Sequence, residues 1–174
     1  MEDILVSLRN AIDREVELLL ELRPRLQKLH KEFKQHFADL DELSSAVQLA
    51  ARDLADAQLR EFLLSKSKFL QKQLYQLKNA LDWARKEAPK AAKAAKQLKI
   101  QLTMLQATLQ YQAGMIENSE VIEMIKENLS KMTELVRQLS KTVAKIEVNV
   151  MMAEELMAKC LQIRQEIEQR LEAI

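Results

Sequence analysis

Hydrophobic residues in the last third of the chain recur at alternating steps of three and four residues. This spacing places them on one face of an α-helix and is typical of coiled-coil heptads, whose positions a and d are apolar. The a positions are Ile122, Leu129, Val136, Val143, Val150, Met157, Arg164 and Leu171. The d positions are Ile125, Met132, Leu139, Ile146, Ala153, Cys160, Ile167 and Ile174. Since Arg164 alone among them is charged, the pattern predicts one helix of roughly 53 residues with knobs-into-holes packing.

Two further runs with the same spacing precede this helix. In the first run the a positions are Leu5, Ile12, Leu19, Leu26, Phe33, Leu40, Val47 and Leu54, and the d positions, in unbroken register, are Leu8, Glu15, Leu22, Leu29, His36, Leu43, Ala50 and Ala57. In the second run the a positions are Leu74, Leu81, Ala88, Ala95, Leu102 and Leu109. Its d positions are Leu70, Leu77, Ala84, Ala91, Leu98 and Leu105. The two runs differ in phase by about 100°, which predicts a turn or a stutter near Ala55 to Gln58.

A second interruption, from Tyr111 to Ser119, contains the single glycine of the chain. Gly114 can end a helix in the left-handed conformation, and Asn118 or Ser119 can cap the helix that follows. The interruptions leave three helices of similar length, over about residues 4–54, 58–112 and 119–174. They predict an all-α fold in which residues 1–174 form one elongated, antiparallel up-down bundle of three long helices.

Pro24 and Pro89 lie inside these helices, and the apolar pattern continues in phase on both sides of each. Both project away from the apolar face, where water can reach the carbonyls that lose their partners, so they predict kinks rather than helix ends. A four-helix bundle is the alternative. In that bundle Asp39 caps a second helix after a turn near Phe37, and Pro89 opens a third.

The composition supports a helical fold with few connections. The chain has one Gly and two Pro, whereas ordinary domains contain about 7% and about 5% of these residues, so sandwiches, barrels and doubly wound sheets are excluded. With 30% charged residues and no apolar run near the roughly 18 residues of a membrane span, the sequence predicts a soluble protein. Its acidic N-terminus lacks a targeting pattern, which indicates the cytoplasm. Cys160 is the only cysteine and lies at an inward position, so it is predicted to be a core residue rather than a disulfide or metal ligand.

No combination of residues predicts catalysis. His30 and His36 are about 600° apart around a helix, which puts them on opposite sides and not at the i, i+4 spacing of a shared metal site. Glycine-rich phosphate loops are absent, and Glu-x-x-His pairs are absent as well. The sequence therefore predicts a non-enzyme without a metal, a cofactor or a small-molecule substrate.

Charge is distributed unevenly, although the net charge is only +1. Residues 63–99 hold ten basic and two acidic side chains, a net charge of +8, while the flanking regions are acidic. Helical angles bring six of the basic side chains to one outward stripe. They are Lys78, Arg85, Lys86, Lys90, Lys93 and Lys96. Two interpretations are open: a solvated face neutralised by the neighbouring acidic helices, or a site for an anionic membrane or acidic protein. Nucleic acid is disfavoured because Trp83 is the only aromatic residue nearby.

Two groups of small or apolar residues also predict contacts. The alanines at 84, 88, 91, 92, 94 and 95 predict a narrow part of the bundle or a contact with another subunit, because small side chains let helices approach closely. The last helix carries apolar residues outside its main stripe, and these are either core residues of a larger bundle or a partner-binding patch. The candidates for the patch are Val148, Met151 and Met152, while Leu135, Leu156 and Ile163 widen the stripe.

These features predict a non-catalytic protein–protein interaction, scaffold or tether module that self-associates or pairs with another helical protein. The alternative is a peripheral protein that binds anionic membrane surfaces through the basic stripe. The apolar pattern also runs to Ile174 without a cap, and Glu166, Glu168 and Glu172 oppose the helix dipole there. This ending predicts that the chain is the N-terminal part of a longer polypeptide.

Overall fold

The computed structural model describes residues 2–111 and 119–173, which form three long α-helices. They are α1 (Glu2–Ala51), α2 (Ala57–Tyr111) and α3 (Ser119–Glu172). The described residues include no β-strand. The predicted all-α bundle of three long helices is therefore confirmed. The predicted turn at Gly114 and Asn118 lies outside the described residues.

Both prolines lie within helices, as the phase of the apolar pattern predicts. Pro24 is inside α1 and Pro89 is inside α2, and both are exposed. Phe37 also lies inside α1, where its ring centroid is 4.8 Å from that of Phe33. The four-helix alternative is therefore wrong, because it requires a turn near Phe37 and a new helix at Pro89. The predicted kinks stay predictions.

Side-chain capping fixes the connection between α1 and α2. The Oδ1 atom of Asp56 accepts hydrogen bonds from the backbone amides of Gln58 (3.0 Å) and Leu59 (3.3 Å). Asp56 is thus the N-cap of α2 and satisfies amides that have no partner within the helix. On the other side, Arg60 donates a hydrogen bond of 3.1 Å to the carbonyl of Leu54. The predicted interruption is therefore a capped turn.

The chain forms two compact units, each built from parts of all three helices. The first unit contains Met1–Arg23 and Lys86–Glu147, and the second contains Pro24–Arg85 and Val148–Ile174. That residues 1–174 form a single bundle stays a prediction.

In the first unit, polar contacts show the direction in which α1 and α2 pack. Arg9 donates a hydrogen bond of 2.6 Å to the Oε1 atom of Gln106, and Asp13 pairs with Lys99 at 3.1 Å. Because residue numbers rise in α1 as they fall in α2, the two helices are antiparallel here.

In the second unit, α3 is linked to both other helices by ion pairs. Arg25 of α1 pairs with Glu154, and Lys66 of α2 pairs with Glu166 at 2.7 Å. The Arg170 guanidinium lies 5.0 Å from the centroid of the Phe62 ring of α2. Numbering falls along α2 as it rises along α3, so these two helices are antiparallel in this unit.

The predicted inward positions of α2 and α3 are buried with few exceptions. In α2 all are buried except Ala88 and Leu109, which are partly exposed. In the described part of α3 the exceptions are Ile122, Arg164 and Leu171. Arg164 keeps its guanidinium near solvent and pairs with Glu168 at 3.9 Å. Leu156 and Ile163 are buried as well, so the apolar stripe of α3 is wider than positions a and d alone.

Towards the end of α1 the inward face differs from the predicted one. The buried residues here are Leu40, Ser44, Val47 and Ala51. The prediction for the d positions Leu43 and Ala50 is wrong, because Leu43 is only partly buried and Ala50 is exposed. The predicted heptad steps three residues, from Leu40 to Leu43, whereas the buried residues step four, from Leu40 to Ser44. The longer step moves the inward face of α1 by one residue, which is a stutter. The Ser44 hydroxyl donates a 3.0 Å hydrogen bond to the carbonyl of Ser67, which explains how a polar residue is accommodated there.

Candidate functional site

The histidines do not form a shared site. Across the described residues, no group of three or more His, Cys, Asp or Glu side chains is arranged to hold a metal ion. His30 is half-buried, and its buried Nδ1 atom has no hydrogen-bond partner among the described residues. Burial, together with the positive charges of Arg85 and Lys34, lowers the pKa of His30 below its ordinary value of 6.5.

This environment predicts a pH dependence of folding. Because the pKa of His30 is lowered in the folded state, the unfolded chain binds the proton more readily, and stability should fall as the pH drops below about 6.5. Urea unfolding at about pH 7 and about pH 5 measures the loss. We expect His30→Gln to reduce the difference in stability between the two pH values. An equal pH dependence in wild type and His30→Gln would contradict the assignment.

Cys160 is a buried core residue, as its position in the heptad predicts. Its side chain is fully buried in the second unit, and burial raises the pKa of the thiol from 9.0 to about 11. Since the thiolate is the reactive form, such a shift lowers its population by about a hundredfold at a given pH below 9.

We therefore expect Cys160 to react with Ellman's reagent only slowly in the folded protein. Unfolding in urea should restore the rate of an ordinary free thiol, because it removes both the burial and the pKa shift. Stopped-flow absorbance measures the two rates. A native thiol that reacts as fast as the unfolded one would show that this part of α3 does not face the core.

Within the basic stripe, the structure assigns the side chains different surroundings. In the second unit, the Lys78 ammonium lies 5.7 Å from the centroid of the Phe37 ring, and Arg85 acts electrostatically on His30. In the first unit, the four remaining lysines of the stripe are exposed. They are Lys86, Lys90, Lys93 and Lys96.

Neutralisation by acidic side chains is incomplete in the first unit. Lys90 pairs with Glu87 of the same helix at 3.7 Å. Within residues 2–111 and 119–173, Lys86, Lys93 and Lys96 form no ion pair. The interpretation that the acidic neighbouring helices neutralise the whole basic stripe therefore does not hold for these three lysines.

The predicted apolar patch is exposed on α3 of the second unit. Val148 is 62% exposed, Met151 48% and Met152 42%. Their spacing of three and four residues places them on one helix face, while the buried positions Val150 and Ala153 lie on the opposite side. We call Val148, Met151 and Met152 the α3 patch.

A groove between α2 and α3 in the first unit was not predicted as a site. Its volume is about 320 Å³, and its apolar lining comes from Ala91, Ala94 and Leu98 of α2 and from Leu135 and Leu139 of α3. Because two of the facing residues are alanines, the α2 side contributes little side-chain volume. Leu135 is 43% exposed as a result of its position on this surface. The alanine run pointed to this part of α2, but it predicted a narrow helix contact or a subunit contact instead of a groove.

The fold and these surfaces define an all-α three-helix class of protein with an exposed apolar patch and a groove lined by both apolar and polar residues. Among the described residues, no helix has a segment long and apolar enough to cross a membrane. No protein-family model, curated protein or solved structure matches this chain.

Proposed function

We propose that the chain is a non-catalytic protein–protein interaction module of the cytoplasm, one that self-associates or pairs with another helical protein. The exposed α3 patch is the observation that carries this proposal. Three large apolar side chains on one outward face are removed from water when a second helix covers them, and this burial favours association. A scaffold or tether function requires such a contact.

The spacing of the α3 patch supports a second copy of the chain as the occupant. Val148 and Met152 are four residues apart on one face of α3, and both are exposed. In an antiparallel pair of α3 helices related by a twofold axis near Val150, Val148 of each copy meets Met152 of the other. Each copy thereby removes the apolar side chains of the other from water, which favours association.

Sedimentation equilibrium tests this proposal. We expect a wild-type mass of about twice the 20.1 kDa of the chain and a monomer for the variant with Val148, Met151 and Met152 all replaced by Gln. Leu49→Gln is the matched control, because Leu49 is 65% exposed on α1 of the same unit. It should leave the mass unchanged. A monomeric wild-type chain at its highest soluble concentration, or a dimer in the triple variant, would contradict self-association through this patch.

A second candidate function is peripheral binding to an anionic membrane surface. The exposed lysines without ion pairs among the described residues, Lys86, Lys93 and Lys96, favour it. Each lysine near such a surface contributes about 1 kcal/mol of attraction, which salt screens. Co-sedimentation with vesicles of phosphatidylserine and phosphatidylcholine should therefore decrease at high salt and on replacement of the three lysines by Gln. No binding at low salt would exclude this function.

A further inference from the structure

We propose that the groove between α2 and α3 in the first unit binds an acidic amphipathic helix of a partner protein. Five of the residues that line the groove are apolar, and among them Leu135 is 43% exposed. Leu139 beside it is buried, as is Leu98 on the opposite wall. A partner helix that inserts apolar side chains over Ala91 and Ala94 would complete the packing that the alanines leave open.

The α2 rim of this groove is basic. Lys90 lines the groove, and Lys86 and Lys93 lie within about 100° of Ala94 around the helix, next to the groove on its solvent side. Glu87 is the only acidic residue of the lining, and it already pairs with Lys90 at 3.7 Å. The α2 rim therefore offers positive charge to a ligand.

The α3 rim is basic as well. Within about one helical turn of the α3 residues that line the groove, Lys131 and Lys141 are exposed, and both lie within about 120° of Leu135 around the helix, on its solvent side. In this described stretch of α3 the acidic residue on that side is Glu134, and it pairs with Arg137 of its own helix. Both rims thus carry excess positive charge beside the apolar residues of the groove.

This arrangement is complementary to a helix with an apolar stripe flanked by Asp and Glu. Such helices place anchors at i, i+3, i+4 and i+7 into a groove, and charges on both sides of the stripe then meet the rims. A membrane surface would contact the lysines but would leave the concave floor uncovered. The groove therefore favours a helical protein over a bilayer.

The inference extends the proposed function to a partner and to a surface other than the α3 patch. Its test measures binding of a peptide, whereas self-association is measured as mass. If the peptide does not bind, the measured mass still tests self-association. If the chain is monomeric, the peptide still tests the groove.

The test uses three synthetic peptides of about 20 residues, a length at which designed helices form in water. The first has Leu at i, i+3, i+4 and i+7 and Glu at the flanking positions. The second replaces every flanking Glu by Lys, and the third has the composition of the first in scrambled order. Fluorescence anisotropy with the full chain should detect binding of the first peptide only, and this binding should weaken as salt is added.

Matched charge reversals locate the binding site. Lys93→Glu changes the α2 rim, whereas Lys96→Glu makes the same change about 200° from Ala94 around the helix. We expect Lys93→Glu to raise the Kd of the acidic peptide about fivefold and Lys96→Glu to leave it unchanged. Ala94→Phe, which fills the groove, should weaken binding by more than about tenfold. If Ala94→Phe lowers the melting temperature, the two lysine variants still decide the result.

Three outcomes would overturn the proposal. In the first, the acidic and basic peptides, or the acidic and scrambled peptides, bind equally well. In the second, Lys93→Glu and Lys96→Glu weaken binding to the same extent, which would indicate general attraction to a basic surface. In the third, no peptide binds the wild-type chain. If acidic vesicles then bind the wild-type chain and Ala94→Phe equally, the lysines are assigned to a membrane surface.

Discussion

Ile146→Asp is expected to unfold the protein or to destabilise it by about 4 kcal/mol or more. Ile146 is fully buried on α3 of the first unit. The substitution removes buried apolar surface and places a carboxylate where it has neither water nor a partner, and the two effects add. Typical domains are stable by only about 5–15 kcal/mol, so this loss removes a large fraction of the available stability. Circular dichroism during urea unfolding measures the change.

Ala144→Asp is the matched control, because Ala144 is exposed on the same helix only two residues earlier. It introduces the same charge and a similar loss of helix propensity without burying the carboxylate. We expect it to change stability by less than about 1 kcal/mol. Equal effects of the two substitutions would show that the inward face of α3 is assigned incorrectly.

The second large effect is expected at the end of α1, where the sequence pattern and the structure disagree. Ala51→Asp should destabilise the protein by about 3 kcal/mol, because Ala51 is fully buried. Ala50→Asp should cost less than about 1 kcal/mol, because Ala50 is exposed. Both substitutions place an acid at the negative end of the helix dipole, so this contribution cancels in the comparison.

Thermal and urea unfolding of both variants measure this difference. A larger loss in Ala50→Asp than in Ala51→Asp would restore the unbroken heptad that the sequence predicts and would reject the stutter after Leu40. Ser44→Ala provides an independent check, because it removes the hydrogen bond to the Ser67 carbonyl. We expect it to destabilise the protein by about 1 kcal/mol, the net contribution of one buried hydrogen bond.

Much of the fold was predictable because long helices repeat one simple relation between spacing and burial. The apolar positions of α3 predicted its burial over most of its length, and the continuity of phase across Pro24 and Pro89 predicted that neither residue ends a helix. The turn before Asp56 was visible as a phase difference between two runs. Its capping bonds to Gln58 and Leu59 were not part of the sequence prediction.

The candidate surfaces were predictable only in part. The α3 patch was identified as apolar residues outside the main stripe, but the sequence left open whether a larger core covers them. The basic stripe was identified by its charge, yet pairing differs among its members: Lys90 meets Glu87, and Lys93 has no ion pair among the described residues. The Lys90–Glu87 pair follows from i, i+3 spacing within α2. Whether Lys93 meets an acid depends on which residues of other helices lie opposite, and the sequence of one helix does not contain this information.

The sequence by itself determined the helical class and most of the inward residues of the helices, because periodicity along one chain reports which face avoids water. It left a choice between three and four helices, which the structure decides in favour of three. Tertiary structure decided which helix faces meet, and with them the stutter at Ser44, the exposure of Leu135 and the groove beside Ala94. These features depend on the volumes and hydrogen bonds of two helices together. Ser44 is buried because the Ser67 carbonyl lies opposite, and the groove exists because Ala91 and Ala94 face leucines that do not fill the space.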